Sequence, residues 1–158
     1  MMKRPFTWLI AASAVVFILS DATPVSAETK WLISPEEADM IRPATEDFKE
    51  PAAAVEGPGP LIVVKNPKAL QRVQSPVDIF VSFEPGKSGK PPAMKTLTVT
   101  LIGLFDFDIT DRVREYIKGT TLDVEQANLA TGSHYLRMAI KDIEGNPNER
   151  DVVVVVEK

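Results

Sequence analysis

The chain contains no cysteine. Disulfides, thiolate metal sites and cysteine nucleophiles are therefore excluded, and stability has to come from packing alone. Histidine is nearly absent too: His134 is the only one. Beyond residue 27 there is a single tryptophan, Trp31, and only Phe80 and Tyr135 among the strand rings have solvent parity, so the signal for an aromatic platform that binds glycans is weak. The one long apolar run, Leu9–Leu19, falls well short of the roughly 20 residues that span a bilayer. No Gly-x-Ser-x-Gly elbow, phosphate-binding glycine loop or zinc-binding helix pattern occurs. Excess positive charge is lacking as well. The formal net charge is −4, which leaves no electrostatic footprint for nucleic acid.

What is present begins with an export pattern. Lys3 and Arg4 precede the Leu9–Leu19 run, and Val25-Ser26-Ala27 offers small residues where signal peptidase cuts. Residues 1–27 are expected to be a signal peptide. Lys3, Arg4 and Asp21 would leave with it, a net of +1, taking the charge from −4 to −5. The expected location is the periplasm or the exterior, with no stable membrane insertion after cleavage.

Residues 28–59 read as a short helix followed by a flexible Pro/Ala-rich linker. Ser34-Pro35-Glu36-Glu37 has helix-start grammar: a hydroxyl cap, proline at the first helical position, and Glu three residues after the cap. Pro43 is expected to stop this helix after about two turns. Trp31, Leu32, Ile33, Met40 and Ile41 form an apolar cluster on the tether. It either docks on the protein's own domain or binds a partner by strand addition or a short helix, using Trp31, Ile33, Met40 and Ile41.

From Leu61 onward the hydrophobic period becomes two. Val77, Ile79, Val81 and Phe83 alternate with more polar neighbours, as do Leu97, Val99 and Leu101, and then Leu136, Met138 and Ile140. Leu61–Lys65 and Thr121–Gln126 are shorter candidates. Val152–Val156 is apolar on both faces, so its inward side cannot be assigned. Turn residues separate the runs, in "EPGKSGKPP", "ATGS" and "IEGNPNE". Antiparallel strands joined by loops over residues 60–158 predict an all-β sandwich of about seven strands. Within it, "DITDRVREYI" carries Ile109, Val113, Tyr116 and Ile117 at helical spacing, behind Thr110 or Asp108 as cap.

The run Leu129-x-x-Gly132-x-His134-x-Leu136-x-Met138-x-Ile140-x-Asp142-x-x-Gly145-Asn146 resembles the penultimate strand and following hairpin of immunoglobulin-like and fibronectin type III-like bacterial domains. Together with "GPGPLIVVKNP" and "SPVDIFVSFEP", it makes residues 57–158 similar to small secreted bacterial proteins of unknown function with that sandwich. The resemblance implies a fold and brings no activity. The cysteine pair and core tryptophan of antibody domains are absent.

Within this frame Gly132, His134, Asp142, Gly145 and Asn146 are expected to be structural. Ser133 cannot serve His134, because neighbours on a strand point to opposite faces; the imidazole instead suits a backbone carbonyl at the corner. No catalytic residue and no cofactor are expected. Copper lacks donors, since only Met40, Met94 and Met138 remain beyond residue 27. Asp106, Asp108 and Asp111 supply hard oxygens suited to calcium but no regular loop spacing. Arg112 is expected to pair with Asp108 or Asp111. The functional expectation is a non-enzymatic exported module of the bacterial cell envelope, binding another envelope or secreted protein. A carbohydrate- or calcium-dependent surface-binding domain is the alternative.

Overall fold

The structure, a computed structural model, describes residues 30–45, 57–68 and 71–158. The expected signal peptide and most of the expected linker lie outside the described residues. Among these residues the elements are β1 (Trp31–Ile33), α1 (Pro35–Thr45), β2 (Leu61–Asn66), β3 (Arg72–Gln74), β4 (Val77–Glu84), a 3₁₀ turn (Met94–Thr96), β5 (Thr98–Ile102), β6 (Phe107–Asp108), α2 (Thr110–Arg114), β7 (Ile117–Lys118), β8 (Thr121–Leu129), β9 (Gly132–Lys141) and β10 (Pro147–Glu157).

Two five-stranded sheets share one core. The first has the order β1–β8–β4–β2, with β7 also on β8; the second has the order β3–β10–β9–β5–β6. The six runs with strand periodicity are the six longest strands. Val81 and Phe83 of β4, Val99 and Leu101 of β5, and Met138 and Ile140 of β9 meet in the core at the parity their alternation predicts. In β10 it is Val152, Val154 and Val156 that join this core, while Val153 on the other face is buried as well.

Three expectations need correction. The sheets are mixed rather than antiparallel, because β1 runs parallel to β8 and β3 runs parallel to β10. Four strands of two or three residues raise the number above seven, to ten among the described residues. β1 and β3 acquire strand geometry from partners distant in sequence, and β6 and β7 from the adjoining strand, over stretches too short for alternation to reveal. Pro43 does not end α1 either. The helix runs eleven residues, about three turns. Proline costs the helical ladder a hydrogen bond, and burial of Ala38 and Ile41 against the domain holds the helix nonetheless.

Residues 30–45, expected as a short helix on a tether, pack on the domain. β1 pairs with the end of β8, Trp31 opposite Asn128 and Ile33 opposite Leu129. α1 then packs against β9, with Ile41 over Gly103, where a Cβ would fall 2.6 Å from that of Ile41. We call residues 30–45 the N-terminal strap. It sits where β8 turns into β9 and where β5 leads into β6. Ile117, expected on the helix, lies in β7 instead; α2 is a single turn.

Candidate functional site

The strap is built around a reciprocal cap. Glu37 N–H donates to Ser34 Oγ (3.3 Å), and Ser34 N–H donates back to Glu37 Oε2 (2.9 Å). The same carboxylate receives Arg112 from α2 in a two-pronged contact, at 2.8 Å from Nη1 and 2.6 Å from Nη2. Arg112 Nη1 also donates to Leu32 O at 3.0 Å. The guanidinium holds the Glu37 carboxyl below its ordinary range, against burial and with help from the Ser34 N–H.

The expected partners of Arg112 are thus wrong. Asp108 Oδ1 accepts the Thr110 N–H (2.8 Å), and Asp111 pairs with Arg114 (3.3 Å). Adjacent helix positions do not face each other, so Asp111 cannot follow Arg112 toward the strap. α2 itself is anchored to β5: Val99 N–H donates to Thr110 Oγ1 (2.8 Å), and Ile109 N–H donates to Val99 O (2.9 Å).

The strap exposes two large apolar side chains among charged ones. Trp31 is 37% exposed and Met40 46%, whereas Ile33 and Ile41 are consumed by the core. Two of the four residues expected to face a partner are therefore interior. Their place is taken by Leu104 and Phe105, 63% and 66% exposed, at the tip between β5 and β6. These two were missed in the sequence although the signal was there: two bulky apolar residues occupy a tip where polar turn chemistry is the rule. Ile102 opposes Tyr135, near the start of β9, so this tip lies at the same end as the strap. Of the five large hydrophobic residues exposed among those described, only Ile143 lies at the opposite end, in the β9–β10 turn.

Beside Trp31 a groove of about 600 Å³ runs past Ala38, Ser75, Ala130 and Lys158. Glu36 and Asp39 on α1 are exposed, and Asp106 accepts the Gly103 N–H at 3.4 Å. Lys30 and Lys158 lie at the same end, so the charge there is mixed.

His134 stands behind this end, 0% exposed. Its Nε2–H donates to Ala130 O at 2.6 Å. Burial pushes the imidazole below its ordinary range and the carbonyl opposes that only in part, which favours the neutral ring. Nδ1 has no partner. Ala130 N–H in turn donates to Ile33 O at 3.0 Å, so the histidine corner also holds the strap. Gly132, with φ of 139°, supplies the backbone turn into β9.

Asp142 organises the turn at the far end. It is buried, and its carboxylate accepts Ser88 Oγ (2.6 Å), Glu144 N–H (2.9 Å), and both Asn146 N–H (2.9 Å) and Nδ2 (2.8 Å). Burial raises its pKa, and these donors outweigh burial to bring it down to about 2. Gly145 takes φ of 90° to close the turn. The calcium candidates Asp106, Asp108 and Asp111 serve separate backbone or side-chain donors, and no three ligating side chains converge among the described residues. No helix among the described residues is long and apolar enough to cross a membrane.

No family model matches the chain, and no curated protein or solved structure is similar enough to bring an assignment.

Proposed function

We propose that the chain is a non-enzymatic interaction module, exported to the periplasm or beyond, whose apolar end docks another protein. Export rests on the pattern from Lys3 to Ala27. An immunoglobulin-like sandwich is the fold this reading takes. In its support, β2, β4 and β8 group as the first, second and fifth strands of that fold do, and β10, β9, β5 and β6 group as the sheet carrying its last strands does.

One observation carries the reading. Trp31, Met40, Leu104 and Phe105, four of the five large exposed hydrophobics among the described residues, lie at one end of the domain, which supports a docking surface over single scattered exposures. Aromatic residues and methionine are enriched in the buried centres of protein interfaces. The end fits a partner offering an apolar pocket.

A photo-crosslinking residue placed at Phe105, and separately at Ile143, tests this in cells that express the full chain. The two positions are comparably exposed at opposite ends. A defined protein adduct from position 105 and none from 143 is expected. Identical adducts from both positions would sink the proposal.

A further inference from the structure

The residues that receive the strap all belong to the rest of the domain. Arg112 projects from α2, which is fixed to β5 through Thr110. Asn128 and Ala130 sit at the end of β8, and Gly103 at the end of β5. The strap, by contrast, has little to hold it together alone. It consists of a three-residue strand and an eleven-residue helix containing a proline, and helices of that length are marginal in water without packing. Its buried side chains, Leu32, Ile33, Ala38 and Ile41, all spend their apolar surface on the domain.

The strap is joined to β2 through residues 46–56, eleven residues that include Pro51. Fully extended, such a stretch reaches on the order of 40 Å. That exceeds the diameter of a domain this size, about 30 Å. A strap that leaves its slot can therefore enter the slot of a neighbouring copy, and every contact made within one chain is remade between two.

We propose that the slot beside β8 is an exchangeable site whose occupant in trans is the N-terminal strap of a second copy of this chain. The slot reads two features in series: a Leu32-Ile33 pair laid parallel to β8, then a helix start whose Glu37 carboxylate meets Arg112. The exchange stands apart from docking at the apolar end, since it needs no other protein.

Because the chain lacks cysteine, single thiols report the exchange directly. Trp31 and Asn128 are paired across β1 and β8. Full-length W31C and full-length N128C are mixed at high concentration and oxidised. The expected product is the crossed 31–128 dimer, in several-fold excess over 31–31 and 128–128 dimers. The W31C/N128C double variant, dilute, should close within one chain. Intrachain closure of the double variant without crossed dimers in the mixture would overturn the proposal. A second measurement guards against misfolding of the thiol variants. A fluorescent peptide of residues 30–45 should bind the full-length E37Q chain, whose own strap is weakened, about tenfold more tightly than wild type. A peptide carrying E37Q should bind about tenfold less tightly than the unaltered one. A folded E37Q chain that takes up no peptide would equally refute the exchange.

Discussion

At the scale of single residues, Glu37 and His134 both lose stabilisation as pH falls, over different pH ranges. Glu37 has a lowered pKa, so its contribution is complete above the ordinary value of 4.5 and is lost as pH falls through the folded value. Glu37→Gln should destabilise the chain by about 1–2 kcal/mol in urea titrations. The lower part of the charge-assisted range applies because the Arg112 side chain is 39% exposed and screened. The variant should also flatten the stability profile just below pH 4.5. For His134 the folded pKa lies below 6.5, so the unfolded chain takes up the proton first, and stability falls as pH drops from 6.5 toward the folded value. His134→Phe keeps most of the volume and removes the bond to Ala130. It should cost about 1–2 kcal/mol at neutral pH and abolish the loss that begins near 6.5. A variant as stable as wild type at pH 7.5 would show that the bond contributes nothing.

At the scale of elements, the strap and the β9–β10 turn are held by different means. The strap depends on close approach at Gly103. Gly103→Ala would set a Cβ 2.6 Å from that of Ile41, so the strap must shift. Overpacking of this kind costs on the order of 1–3 kcal/mol, and limited proteolysis should cut within residues 30–45 faster than in wild type. The turn depends on one carboxylate with four donors. Asp142→Ala strands Ser88 and Asn146 and should lower the melting temperature at neutral pH. The Asp142 contribution is complete above 3.8 and disappears as pH approaches 2, so wild type and variant should converge in stability there. Persistence of the gap at pH 2 would place the effect elsewhere.

At the scale of the whole molecule, the two ends divide the work. One end is closed by a buried polar turn. The other carries the strap, the histidine corner and exposed apolar side chains. Leu104→Ser combined with Phe105→Ser should leave thermal stability within about 0.5 kcal/mol of wild type, as substitutions at exposed positions do. The same pair should remove the adducts formed by a crosslinker at Met40. Loss of stability comparable to a core substitution would mean the tip is packed rather than presented.

Much of this architecture is legible locally. Alternation set the inward faces of β4, β5 and β9, because parity follows from strand geometry alone, whereas β10, apolar on both faces, took its inward side from packing. The cap at Ser34 and the turn at Asp142 were readable for a similar reason: both are hydrogen-bonding patterns closed within a few residues. Tertiary structure decided what depends on partners far along the chain. Three residues, Trp31–Ile33, become a strand only when laid against β8, almost a hundred positions away. Arg112 chose Glu37 over its sequence neighbours because α2 turns it toward the strap. Ile33 and Ile41 became core, and Leu104 and Phe105 became surface, through placement that no local pattern encodes.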